Sequence, residues 1–354
     1  KLKLNLKINQ TSQKNWRLNS MIEHNKPTIG IKEEEAVIRV LKSRCLVGGN
    51  ETEEFENEFC DFIGLPKGHA IAVSSGTAAL YLALWILEGD KKTISFPGYV
   101  CSALRNATNM IGGNEEILDI KKESPNIKFE GIKKESIAII PHMYGIPVDV
   151  TKIQNMNIIE DCAQSLGAKI NGISVGLYGN AGIFSFYATK LMTSGGHGGM
   201  YVSKDKKLVD RVRDYREFDY RHDQKKRFNF QMTEIQAAIG REQLKKMPKF
   251  LERREEIFQK YKKAGLELLD IGENQNHLSP VRYRAVIKTE EPNKIIKTLE
   301  SIGVKAIVPT EDWELLGKHK LLPNAVELSR KTVSLPIYPT LTDQGIDIIL
   351  SAIT

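Results

Sequence analysis

Between residues 70 and 186 short apolar runs recur at regular intervals, and that recurrence constrains the fold more than any other feature of the chain. Residues 71–73, 93–96, 116–118, 137–140, 157–159 and 181–186 each have the length and character of a buried strand. The stretches between them hold helix patterns: 78–87 is apolar throughout, and a helix follows Pro97-Gly98 to about Met110. Strands alternating with helices predict an α/β fold, a mostly parallel central sheet with helices on both faces. Upstream, 33–42 reads as a helix. LVGGNETEEFENEFCDFIG then breaks at Gly48-Gly49 and enters a second helix, with Phe55, Phe59 and Phe62 on one face. Downstream come a strand after Met200 and a polar, Arg/Tyr-rich segment from Asp210 to Phe228. Met232, Ile235, Ala238 and Ile239 follow at helical spacing. From about Leu251 a charged helix leads into a smaller α+β unit, with strands at 281–287 and 304–308 and helices at 293–301 and 342–353. The expected division is a large domain over 21–250 and a small C-terminal domain over 251–354. Residues 1–20 read as a tail, an expression remnant or a transit peptide.

The chemistry concentrates in GNAGIFSFYATKLMTSGGHGGM, residues 179–200. An apolar run leads to Lys190, and a turn rich in glycine follows at Gly195, Gly196, Gly198 and Gly199. A lone lysine after a strand is ordinarily a surface lysine, and an aspartate ending a strand is ordinarily a helix cap. Two further stretches change that reading: IIEDCAQSLGA ends a strand in Asp161, and AVSSGTAALYLAL turns from a strand through Ser-Gly-Thr into an apolar helix. Together they supply what a pyridoxal 5'-phosphate (PLP) enzyme needs. These are a lysine for the Schiff base, a carboxylate for the pyridinium nitrogen and a helix N-terminus for the phosphate.

The net charge of +7 suggests nucleic acid until it is located. Lys1, Lys3, Lys7, Lys14 and Arg17 lie in the first twenty residues with no acid among them, so the rest of the chain is near neutral. No nucleic-acid partner is expected. Cys45, Cys60, Cys101 and Cys162 have no metal-binding spacing and read as reduced thiols of a cytoplasmic protein, with no metal. No GxxxxGK[ST] occurs, which sets aside a phosphate-binding NTPase. The longest apolar stretch, 71–87, is broken by Ser74, Ser75, Gly76 and Thr77, so no membrane span is expected.

From Ile29 onward the chain resembles the DegT/DnrJ family of PLP-dependent aminotransferases, fold type I. The pieces that carry the resemblance are LVGGNETEEFENEF, SSGTAALYLAL, IIPHMYGIPVDV, IIEDCAQSLGA, FSFYATK, FNFQMTEIQAAIGREQL and SLPIYPTLT, in the family's order. The resemblance implies that an amino acid, by family habit glutamate, gives its amino group to a keto-sugar, mostly nucleotide-linked. It implies Lys190 as the Schiff-base lysine and Asp161 as the partner of the ring nitrogen. Gln164 would contact the ring hydroxyl, and Gly76, Thr77 and Ser185 the phosphate. Asn229 would reach the same phosphate from the neighbouring subunit of a homodimer. The chain departs from the family at three places. Cys101 stands where an aromatic residue usually stacks on the ring, so either Tyr99 substitutes or something smaller packs there. The TTGEGG turn reads TSGGHGG, which makes His197 either a substrate contact or an exposed loop residue. FSFH reads FSFY, with Tyr187. His142, before the YG turn, either lines the site or is packing. Relatives that act as sugar dehydratases replace the lysine with histidine, and a silent regulatory relative would lose Lys190 or Asp161. Both residues are present.

Overall fold

A computed structural model describes residues 21–153, 157–272 and 275–354. The tail expected at 1–20 lies outside them. Helix α1 (Ile31–Ser43) follows Gly30, whose N–H is capped by the Glu33 carboxylate at 2.9 Å. Helix α2 (Asn50–Ile63) follows Gly48, at φ +68°, and Gly49, and buries Phe55, Phe59, Cys60 and Ile63; Phe62 is only half-buried. A Cβ on Gly49 would come within 2.6 Å of Glu234 Oε2, which accepts the Glu51 N–H at 2.8 Å. The glycine pair therefore lets a distant carboxylate cap this helix.

The sheet is then assembled by alternation: β1 (Ala70–Val73), α3 (Gly76–Ile86), β2 (Thr93–Pro97), α4 (Ala103–Ile111), β3 (Asn114–Leu118), β4 (Ile137–Pro141) and β5 (Asn157–Asp161). A small hairpin, β6 (Lys169–Ile170) and β7 (Ile173–Ser174), precedes β8 (Ala181–Ser185) and β9 (Gly199–Val202). The strand order is β1-β9-β8-β5-β4-β2-β3. All pairings are parallel except those of β9, which runs antiparallel to both β1 and β8. The β9 strand includes Met200 rather than following it. β4 is buried along its whole length, as expected of a strand covered on both faces. Separate apolar clusters lie on the two faces, one holding Leu80, Phe96 and Ile139, the other Phe59, Ile140 and Phe184.

Helix α5 (Lys206–Arg216) occupies the first part of the Arg/Tyr-rich segment. Helix α6 (Glu234–Lys263) starts at Thr233, whose Oγ1 accepts the Gln236 N–H. Met232 lies before this cap and packs into the sheet core instead. α6 runs unbroken through residue 250, so the expected domain boundary falls inside a helix. After α6 comes β10 (Leu278–Ser279), which pairs with β6 and packs with the Phe59 cluster. A third apolar cluster begins at Ile257 and Phe258 and gathers β11 (Ala285–Lys288) and α7 (Pro292–Ser301). α8 (Pro323–Arg330) packs instead with the Leu80 cluster, and β12 (Thr332–Leu335) and α9 (Asp343–Ile353) complete the third. β11 and β12 pair antiparallel. The strand expected at 281–287 starts only at Ala285, because Val281 donates to Gly145 O in the large sheet's loops. The strand expected at 304–308 reduces to isolated bridges, Val304 with Ile22 and Ile307 with Ser334. Ile22 thus packs with the C-terminal cluster although it precedes the large sheet.

Candidate active site

In a parallel α/β sheet the carboxyl ends of the strands open onto the loops, and binding sites form there. Asp161 is the last residue of β5, Lys190 lies just past β8, Tyr99 and Cys101 follow β2, and Gly76 and Thr77 follow β1. The topology therefore brings residues from 76 to 190 to one edge.

Asp161 is 7% exposed. Its Oδ1 accepts the Ala163 N–H at 3.0 Å. Burial pushes its carboxyl pKa up, against that hydrogen bond and the nearby charges of Lys190 and His142. Lys190 is partly open and its Nζ sits 5.4 Å from the Tyr283 ring centroid. It forms no ion pair among the described residues, although its charge acts on Asp161. Cys101 lies within reach of the same two charges: desolvation and Asp161 push its thiol up while Lys190 pulls it down. Gln164 Oε1 accepts the Tyr144 N–H at 2.8 Å, which fixes the turn after β4.

Gly76 opens α3, and Ser75 rather than Thr77 caps it, its Oγ accepting the Ala78 N–H at 3.1 Å. Thr77 is left exposed at the helix N-terminus. A Cβ on Gly76 would lie 2.8 Å from Ser185 Cβ, so glycine brings the helix start and Ser185 together. Asn229 is exposed, with its Oδ1 accepting the Gln231 N–H at 3.0 Å, on a segment bridged to β1.

Three residues considered for substrate contact are placed otherwise or at the margin. Tyr99 is fully buried and its hydroxyl lies 2.6 Å from that of Tyr144, so its ring is core rather than a stacking surface. His142 is 1% exposed; its Nδ1 accepts the Val148 N–H at 2.9 Å and its Nε2 donates to Glu160 at 3.1 Å. Both ring nitrogens are engaged on the far face of β5, so His142 is packing. His197 is exposed, its ring centroid 5.3 Å from that of Tyr187, so two of the departures from the family pattern touch each other.

Sequence reasoning missed Tyr283, Arg284 and Asn25. Tyr283 is buried, and although burial alone would raise its pKa, Lys190, Arg284 and Arg254 hold it below the ordinary phenol value. Asn25 Nδ2 donates to Thr189 O at 2.6 Å, beside the lysine. The one available sign was the Arg-Tyr-Arg run at 282–284, charged where a strand was expected.

Comparison with known proteins bears on the family and the fold. GDP-perosamine synthase of Escherichia coli O157:H7 is 30% identical over 355 residues, covering 92% of this chain and 96% of that protein. UDP-4-amino-4,6-dideoxy-N-acetyl-beta-L-altrosamine transaminase of Campylobacter jejuni is 28% identical over 90% of this chain and 93% of that protein. Among solved structures, DesV of S. venezuelae superposes with a TM-score of 0.82 at 26% identity, covering 91% of this chain and 93% of that one. The aminotransferase TlmJ from Streptoalloteichus hindustanus shares the fold at a TM-score of 0.84 and 22% identity, over 94% and 97% of the two chains. The sequence matches one family over residues 27–354, and the chain belongs to it: the DegT/DnrJ/EryC1/StrS aminotransferases.

Proposed function

We propose that the cleft binds PLP and that the enzyme moves an amino group from an amino acid, glutamate by family habit, to a nucleotide-linked keto-sugar. The observation that carries this reading is the pair Lys190 and Asp161: a buried carboxylate that feels the charge of a partly open amine, with no ion pair to that amine among the described residues. The raised carboxyl of Asp161 supports the fit, because a cationic ring nitrogen would remove the cost of ionising it in a buried place. The Gly76–Ser185 approach and the open helix start at Thr77 suit a phosphate. PLP supplies an electron sink for charge that develops at the donor's α-carbon. Asp161 would hold the ring nitrogen protonated. Lys190 Nζ would anchor the cofactor and, once displaced by the donor's amine, would take the donor's α-proton and return a proton to the acceptor carbon. Thr77, Ser185 and the α3 amides would hold the phosphate, and Gln164 the ring hydroxyl.

The acceptor follows the relatives, which include a GDP-sugar synthase and a UDP-sugar transaminase. A homodimer with Asn229 crossing to the partner's phosphate is supported by exposed Ile31, Ile38, Leu41, Leu46 and Val47 on and after α1. Ile38 also lines an apolar groove of about 670 Å³, with Ile29, Val37 and Ile239, between α1 and the lysine loop. The intact Lys190 favours transfer over dehydration. The test is to load the protein with pyridoxamine 5'-phosphate and add GDP- and UDP-linked keto-sugars one at a time. Mass spectrometry should show one sugar whose carbonyl oxygen is replaced by nitrogen. A loaded protein that converts none of them would contradict the acceptor assignment.

A further inference from the structure

Lys190 lies on irregular backbone. β8 ends at Ser185, and the turn that follows runs through Gly195 at φ +74° and Gly196 at φ +122° before β9 begins. Within it the Lys190 N–H donates to Tyr187 O at 2.9 Å and the Ala188 N–H to Gly196 O at 3.0 Å. A side chain on a loop is placed less exactly than one on a strand unless neighbouring groups hold the loop. Here the neighbours come from far away in the sequence. Residues 22–28 form a strap that crosses from the C-terminal unit to the lysine turn. At one end the Ile22 N–H donates to Gly303 O and Ile22 O accepts the Lys305 N–H, both at 2.9 Å. His24 Nε2 lies 2.9 Å from Ser334 Oγ. At the other end Asn25 Nδ2 donates to Thr189 O at 2.6 Å.

Thr189 O and the Lys190 N–H belong to one peptide plane. Tyr187 O takes the N–H and Asn25 takes the oxygen, so both polar atoms of that plane are held. The point from which the Lys190 side chain starts is thereby fixed. A second tie runs beside the first: Gln243 Nε2 donates to Thr28 O at 2.7 Å, and its Oε1 accepts the Thr193 N–H at 3.4 Å. The space bordered by Lys26, Pro27, Lys190 and Leu191 is only about 10 Å³, so the strap lies directly on the lysine turn. We propose that Asn25 is a positioning residue for Lys190: through the Thr189 carbonyl it holds the amine where it captures the cofactor, and it ties that place to the seating of the C-terminal unit. The inference rests on the reading of Lys190 as the cofactor's anchor. The capture is a condensation in which the amine nitrogen bonds to the aldehyde carbon of PLP. The aldehyde oxygen leaves as water with both amine protons. A small displacement of the amine slows or weakens such a step.

The test compares PLP with pyridoxamine 5'-phosphate, which has the same ring and phosphate but no aldehyde for Lys190 to capture. Both are titrated by calorimetry into cofactor-free wild type, Asn25→Leu, Asn25→Gln and Lys190→Ala. Leucine keeps the size of the side chain and removes the donor; glutamine keeps the amide. Loss of one hydrogen bond predicts PLP binding about 3- to 10-fold weaker in Asn25→Leu, with partial recovery in Asn25→Gln. The affinity for pyridoxamine 5'-phosphate should stay unchanged in both. Equal PLP affinity in wild type and Asn25→Leu overturns the proposal. So do parallel losses for the two compounds, which would mark Asn25 as a support of the fold in general. Hydrogen exchange on the cofactor-free proteins reads the strap by itself: amides of residues 187–193 should exchange several-fold faster in Asn25→Leu than in wild type. Unchanged exchange there also overturns it. If exchange rises as expected while Lys190→Ala binds PLP as tightly as wild type, the strap's hold on the turn stands and the reading of Lys190 as the cofactor's anchor falls.

Discussion

Glu160 and Asp161 are neighbours on β5, so their side chains leave on opposite faces of the sheet and do opposite work. Glu160 is fully buried and accepts the N–H groups of Gly176, Tyr178 and Gly179 besides His142. Burial alone would raise its pKa, but these donors, His142 first, hold it below the usual carboxylate range. An acid lowered in the folded state contributes stability above its unfolded pKa and loses it as pH falls through the folded value. Glu160→Gln should therefore melt earlier than wild type at pH 7, by about 1–3 kcal/mol, and the difference should shrink in melts taken progressively below pH 4. Asp161 has the reverse sign. Its raised pKa means the unfolded chain gives up the proton first, so ionisation costs stability as pH rises from the unfolded value toward the folded one. Asp161→Asn should leave the cofactor-free protein as stable as wild type or more so at pH 7, while reducing transamination by several orders of magnitude. Calorimetric melts and turnover measured on the same preparation check both halves. Cofactor-free Asp161→Asn melting well below wild type would show that the carboxylate is structural.

At the scale of elements, the site depends on close approach. A Cβ on Gly199 would fall 2.4 Å from Ser75 O, a backbone atom, whereas the one on Gly76 meets the Ser185 side chain at 2.8 Å. Gly199→Ala must push β9 away from the turn before α3 and should cost about 1–3 kcal/mol, seen as a lower melting temperature, together with weaker PLP binding. If Ser185 holds the phosphate as proposed, Gly76→Ala should weaken PLP more than it lowers the melt, because the Ser185 side chain must turn aside to make room. Equal PLP affinity in Gly76→Ala and wild type would remove Gly76 and Ser185 from the phosphate site. Much of this architecture was legible in the sequence. β2, β4 and β5 announce themselves as apolar runs, and Lys190 and Asp161 are marked by the residues around them. What was not legible is long-range. In the sequence His142 reads equally as a residue lining the site or as packing, and only the structure shows Glu160 and Val148 taking both its nitrogens. Residues 304–308 have the composition of a strand, yet they bridge to Ile22 and Ser334 only at single points. Arg284 could not be distinguished from Arg282 without knowing which of them meets Glu255 and Asp270.

At the scale of the whole molecule, the N-terminal segment, the lysine loop and the C-terminal unit close on one cleft. Ile22 pairs with Val304, His24 meets Ser334, and Asn25 holds Thr189 O. A shared dimeric site predicts complementation: Lys190→Ala damages its own chain's site, and Asn229→Asp places a charge against the partner's phosphate. When the two inactive variants are refolded together, about a quarter of all sites should be intact, by two-fold symmetry. No recovery despite confirmed subunit exchange would place Asn229 outside the partner's site. The central claim, that Lys190 carries the cofactor opposite Asp161, is tested most directly by borohydride reduction of PLP-loaded protein followed by peptide mapping. The account predicts a pyridoxyl group on the peptide containing Lys190, and none there in Lys190→Ala. Label on a different lysine, or no label in protein that has bound PLP, would contradict it.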